Sequence, residues 1–264
     1  MVRILKIIFN VLAIISIIVV LGFAKNAQEK QVFNKNNLAI QIDYVTENRF
    51  VDYDDIKNEV TYLKGNGVKY FYGFNPLEIE KKIINNSAIK DAQVYKSIDG
   101  KLNIQVKQRR PIARIFTQNE GYYMDEFGGL MPLSDKYTSR IVVVSGYLFE
   151  PFSTRYQLNY KNIEDTIAKK TLLDDIYKLA HYIDESEFWT SQIEQVYVNK
   201  ELEFELIPKV GNHKIVLGGV DNLPIKFNKL MVFYKKGLPK TGWNEYSEIN
   251  LKYKNQIVCT KNYN

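Results

Sequence analysis

From Ile7 to Ala24 the chain runs for eighteen residues without a charged side chain, interrupted only by Asn10, Ser16 and Gly22. At about 1.5 Å per residue such a run makes a helix roughly 27 Å long, close to the hydrocarbon thickness of a bilayer. Within hydrocarbon a lone segment must satisfy its own backbone N–H and C=O groups, so a helix is the only form open to it. Gly22-Phe23-Ala24 offers the small residues of a signal-peptidase site, but signal cores are shorter, about 7–15 residues. The run therefore reads as an uncleaved anchor over 7–24. Arg3 and Lys6 precede it and Lys25 follows it, which places residues 1–6 in the cytoplasm as a short tail. The remaining ~240 residues hold no second span and are expected outside the inner membrane.

Composition excludes more than it selects. Thirty-six Lys and Arg against 30 Asp and Glu give a net charge of +6. No run of five or six basic residues exists, so the charge reads as solvated surface and nucleic-acid binding is not expected. Cys259 is the only cysteine, which rules out an intrachain disulfide and a cysteine-based metal site. His181 and His213 lie far apart and read as surface or partly buried residues, not ligands. No phosphate loop follows Gly218-Gly219, and no nucleophile elbow or zincin motif occurs. Glu201, Glu203 and Glu205 alternate along one strand face and read as solvated carboxylates. The chain is thus expected to be non-enzymatic, with no cofactor, metal or small-molecule substrate. A membrane-tethered enzyme acting on cell-wall glycans through Glu203 is the weakest alternative.

Residues 25–37 are polar and read as a linker. Leu38, Ile40, Ile42 and Tyr44 then alternate with Ala39, Gln41 and Asp43, the period of a strand with one buried face. Asp52 stands as an N-cap with Asp54 and Asp55 in the first turn, and Val51 with Ile56 supplies a hydrophobic staple. Ile56, Val60 and Leu63 line one helical face, and Gly65 stops it. A second helix opens at Asn75, with Pro76 at its first position, Glu78 completing a capping box and Phe74–Ile79 as the staple. The aromatics between the helices, Tyr70 to Phe74, are expected to cover the open end of the domain. Two strands follow, Ile89 to Lys96 and one burying Leu102, Ile104 and Val106, joined by an Asp99-Gly100 turn.

The order strand, helix, helix, strand, strand resembles the POTRA module, here assigned to 38–113. Several features together resemble the bacterial cell-division family FtsQ, called DivIB in Gram-positive bacteria. They are the single anchor, the Ile89-Lys90-Asp91-Ala92-Gln93-Val94 strand and the Gln108-Arg109-Arg110-Pro111-Ile112-Ala113 exit. The family pattern at this exit is Glu-Arg-x-Pro-x-Ala; Arg109, Pro111 and Ala113 match it and Gln108 departs.

Residues 114–258 read as a second, β-rich domain with flanking helices, and 259–264 as a tail. Its expected elements are a strand Gly121–Met124, a turn at Asp125–Gly129, a buried strand Ile141–Gly146 and a helix from about Thr166 to Asp184. Strands Ile193–Asn199, Leu202–Pro208 and Lys214–Leu217 follow, then a helix burying Phe227, Leu230, Val232 and Phe233, with Tyr234 as a further candidate for the same face. One last strand covers about Ser247 to Val258, with Leu251 and Tyr253 sharing a face. Its Ile249-Asn250-Leu251-Lys252-Tyr253 resembles the family's apolar-Asp-Leu-Arg-Tyr run. The fold class is α+β.

The resemblance implies a divisome scaffold at the septum, non-enzymatic, recruiting FtsB- and FtsL-like coiled-coil membrane proteins from the periplasmic side. It further implies that the carboxy-terminal strand is the partner's landing edge, with Leu251, Lys252 and Tyr253 as contacts, then Trp243 and Tyr246. The alternative is a POTRA-bearing envelope transport or outer-membrane assembly component.

Overall fold

A computed structural model describes residues 2–29, 37–65, 73–97, 99–152 and 171–262. The chain divides into two compact units, Met1–Gln108 and Arg109–Asn264. The first begins with helix α1, Val2–Glu29. Its window Phe9–Asn26 has a mean hydropathy of 2.0 and none of it is buried, and among the described residues it is the one helix long and apolar enough to cross a membrane. The helix continues past Ala24 to Glu29, so the start of the expected linker is helical; residues 30–36 lie outside the described set.

The first unit then builds β1 (Leu38–Asp43), α2 (Tyr53–Gly65), α3 (Pro76–Ile84), β2 (Ile89–Lys96) and β3 (Leu102–Gln108). The strands pair in the order β1-β3-β2, with β1 parallel and β2 antiparallel to β3. Local chemistry explains both helix starts. The amide of Asp52 donates to the Asp55 carboxylate and the amide of Asp55 donates back to Asp52, each at 2.9 Å, so this acidic cluster caps a helix. Asn75 Oδ1 accepts the Leu77 amide at 3.1 Å with Pro76 at the first helical position. Val51, Ile56, Phe74 and Ile79 are all buried, as the two staples require. Ala92, Val94, Leu102, Ile104 and Val106 supply the sheet's contribution to the core. On the opposite face Gln41, Gln105 and Gln93 stand directly opposite one another across the three strands. Tyr70, Phe71 and Tyr72 fall outside the described residues.

The second unit holds a nine-stranded mixed sheet in the order β12-β11-β10-β9-β8-β7-β4-β5-β6. Its elements are β4 (Pro111–Phe116), β5 (Gly121–Asp125), β6 (Leu130–Pro132), β7 (Val142–Gly146), α4 (Leu172–Asp184), α5 (Glu187–Gln192) and β8 (Ile193–Val198). They continue with β9 (Phe204–Pro208), β10 (Lys214–Gly218), α6 (Leu223–Lys236), α7 (Leu238–Thr241), β11 (Tyr246–Asn250) and β12 (Val258–Lys261). An aromatic cluster ties three helices together. Trp189 of α5 lies 4.9 Å from Phe227 and 6.1 Å from Tyr234 of α6, and Tyr182 of α4 lies 4.8 Å from Phe227.

Several expectations change here. The first unit ends at Gln108 and not at 113, because Pro111–Phe116 pairs with β5 and β7 as part of the large sheet. Helix α4 begins at Leu172, not near Thr166, since Thr171 is extended and its amide donates to Asp174 at 2.8 Å, the geometry of a start. Thr166 and Ile167 lie outside the described residues. Helix α5 carried no apolar period to announce it; Ser186, which accepts the Trp189 amide, was its readable signal. Val232 is exposed and not core, while Tyr234 is buried and Leu223 joins the buried face. The single last strand is in fact two antiparallel strands, β11 and β12, and residues 259–261 belong to the second instead of a tail.

Gln108 explains how this chain departs from the Glu of the family pattern. Its carboxamide oxygen accepts the amides of Phe50 and Val51 at 2.8 and 3.1 Å, and its nitrogen donates to the Asn48 carbonyl at 3.1 Å. A carboxylate has no donor for Asn48, so an amide suits this site better than an acid. Gln108→Ala leaves buried backbone groups without those partners, at about 1–3 kcal/mol each before water re-enters. Chemical denaturation should show the first unit destabilised by about 3 kcal/mol.

Candidate functional site

The sequence singled out two groups of residues. Arg109, Pro111 and Ala113 stand at the start of the second unit, and their roles there are structural. Arg109 donates from Nε and Nη2 to one Asp125 oxygen at 2.8 and 2.7 Å, and from Nη1 to the Leu130 carbonyl at 3.1 Å. The other Asp125 oxygen accepts the amides of Phe127 and Gly129 at 2.9 and 2.8 Å, which closes the β5–β6 turn. Gly128 sits in that turn at φ +79°, and a Cβ there would press on the Tyr177 ring at 3.2 Å. Arg110 makes a two-pronged bond to Asp184 at 2.8 Å and reaches Glu126 at 3.0 Å. These charge-assisted bonds, with Asp184 foremost, raise the guanidinium pKa against the opposing effect of burial. Pro111 opens β4, where a missing N–H costs least, and Ala113 is fully buried between β5 and β7.

The second group gathers around β11 and β12, the end of the sheet. Here the structure separates residues that period two had grouped. Strand β11 ends at Asn250, whose side chain accepts the Lys252 amide at 3.0 Å and turns the chain. Leu251 still donates its amide to Val216 at 2.9 Å, and its side chain is buried in the core. Tyr253 lies beyond the turn with its side chain 50% exposed. Leu251 is therefore a core residue, while Tyr253 stands at the surface. Lys252 is not free either: its ammonium binds both Glu203 oxygens at 2.7 Å, which raises its pKa, Glu203 being the leading cause.

Trp243 and Tyr246 are half-buried on the approach to β11. Trp243 stacks edge-on against Tyr234 at 5.2 Å, and Tyr246 lies 5.8 Å from Phe233. Across the neighbouring strands Lys214 bridges Glu205 at 3.2 Å and Glu248 at 3.6 Å. Burial works against its charge, yet the two carboxylates hold the Lys214 pKa above its usual value. Glu203 and Glu205 are thus partners in ion pairs that also position the β10–β12 end of the sheet.

Strand β12 pairs with β11 on one side only among the described residues. The Asn262 amide donates inward to Glu245 at 2.9 Å. The single bulge in this ladder lies on β11, between Tyr246 and Glu248, so β12 alternates without interruption. The amides and carbonyls of Lys261 and Cys259 consequently face away from β11, toward the open edge. Among the described residues no group of three or more His, Cys, Asp or Glu side chains is placed to hold a metal ion.

His213 lies buried beside this region, Nε2 3.1 Å from the Tyr234 hydroxyl. Burial lowers its pKa below the ordinary 6.5, a shift partly opposed by the Trp243 carbonyl. The unfolded chain then binds the proton more readily than the folded one, so stability falls as pH drops below about 6.5 and is unaffected above it. His213→Gln should lose that dependence. Thermal melts of both proteins from pH 8 to 5 should show the gap between them narrowing on the acid side.

Comparison with known families is made by sequence. A family model described as FtsQ/DivIB, C-terminal related, matches residues 110–260, and a POTRA-like domain model matches residues 36–107. A search of curated proteins returns no match. The two family matches part where the two compact units part, and the FtsQ/DivIB family is non-catalytic. With its larger unit matched over more than half the length of the chain, behind a POTRA-like unit and an apolar N-terminal helix, this protein belongs to the FtsQ/DivIB cell-division family.

Proposed function

We propose that the chain is a single-pass scaffold of the division machinery, linking and recruiting other division proteins at the septum. The short amino-terminal tail with Arg3 and Lys6 lies in the cytoplasm, and the two folded units lie on the far side of the membrane. The observation that carries this reading is the outer edge of β12, open among the described residues, in a chain of this family. An unpaired row of N–H and C=O groups is a template for a partner's strand, and such pairing gives affinity through the main chain and selection through flanking side chains. Tyr253, half exposed, supplies a large anchor with few rotors beside that edge, and Tyr246 a second aromatic. Strand β12 is short, four residues, and mostly exposed, so the edge is accessible without unfolding anything. The partners proposed are FtsB- and FtsL-like coiled-coil membrane proteins, with the FtsB-like chain taking the edge.

A clean test leaves the core intact. Cutting after Asn244 would remove Ile249 and Leu251, both core residues, so the informative truncation is after Ile257, which removes β12 alone. Lys261→Pro is milder, deleting one outward-facing N–H at a position where an edge strand tolerates proline. Both variants should melt within a few degrees of the parent and capture the FtsB homologue of the same cell at least about ten-fold more weakly. A fluorescent fusion of the parent should form septal bands. Undiminished capture by either variant, or uniform envelope staining of the fusion, would sink the reading.

A further inference from the structure

We infer that Lys229 of α6 is a positioning residue for the partner edge: its ammonium fixes the backbone of Leu251–Tyr253, and so sets where β11 ends and where Tyr253 stands. The inference rests on the reading of β12 as the docking edge. Lys229 Nζ donates to the Leu251 carbonyl at 3.1 Å and to the Tyr253 carbonyl at 2.5 Å, reaching across 22 and 24 residues of sequence. Those carbonyls lie just past Asn250, the last residue of β11. An ammonium, with three donors and no acceptor, can satisfy both at once, which a neutral side chain of similar length cannot.

Lys252, in the middle of the same three residues, is tied separately by its two bonds to Glu203 beside β9. Its stem lies against Gly218, where a Cβ would come within 3.0 Å of Lys252 Cγ. Backbone and side chain are therefore held by different elements, α6 for the carbonyls and the start of β9 for Lys252. Leu251 plugs the core between them, and the Tyr253 ring is the part left outside. Without the Lys229 bonds the turn keeps the Asn250 bond to the Lys252 amide but loses its tie to α6.

The test uses the full-length chain in detergent, with Lys229→Met, Lys229→Arg and Lys261→Pro, and reads two signals. The first is capture of the FtsB homologue of the same cell. The second is hydrogen exchange of the amides from Tyr253 to Lys261, which needs no partner. Lys229→Met should weaken capture about ten-fold, mainly through faster release, and speed exchange in that segment while the melting temperature stays within a few degrees. Lys229→Arg, which keeps donors for both carbonyls, should restore both signals. Loss of capture with Lys261→Pro but parent-like capture with Lys229→Met would overturn the inference and leave the edge reading standing. Parent-like capture with Lys261→Pro would overturn the edge reading, and the exchange rates then decide the role of Lys229 by themselves. Unchanged exchange in Lys229→Met overturns it in either case.

Discussion

Every backbone N–H and C=O in an open sheet needs a partner, and among the described residues the outer edge of β12 is where this sheet stops supplying its own. Nine strands bury a continuous core from Ile112 to Leu251, and the pairing that creates that core leaves two edges behind. At the far end the edge is a three-residue strand, β6, closed off by Pro132. At the other end it is β12, exposed and free of proline, with aromatic residues beside it. A soluble protein is under pressure to blunt such an edge. A scaffold whose work is to hold other chains has reason to keep one.

Side chains that satisfy groups far away in sequence recur at three places where this chain changes direction. Gln108 serves three backbone groups of the 48–51 loop, and Arg109, the next residue, closes the turn at Asp125 in the other unit. Lys229 serves the turn that follows β11. In each case a long polar side chain supplies hydrogen bonds that neither a helix nor a ladder can provide at that point. The exit motif is thus two adjacent structural bonds, one per unit.

Much of the first unit was legible because its signals are local. Caps at Asp52 and Asn75, staples at Val51–Ile56 and Phe74–Ile79, and period-two burial in β3 all act within a few residues. The second unit was less legible where local pattern and long-range bonding disagree. Ile249, Leu251 and Tyr253 continue one alternation, so they read as one strand face. The Asn250 side chain and Lys229 end the strand between them, and only Ile249 and Leu251 reach the core. Val232 stands two residues, about 200° of helix, from Leu230, off the face that Leu223, Phe227, Leu230 and Tyr234 share, and so it points to solvent.

By itself the sequence determined the long apolar N-terminal helix, the α+β class, the order of elements in the first unit and the family, since hydropathy, capping and turn chemistry are read from neighbours along the chain. Only the tertiary structure decided that Pro111–Phe116 belongs to the large sheet, that the last strand is two, and that Leu251 is core while Tyr253 is surface. Those outcomes turn on which distant strand, carbonyl or ammonium supplies a hydrogen bond, and no local pattern encodes that choice.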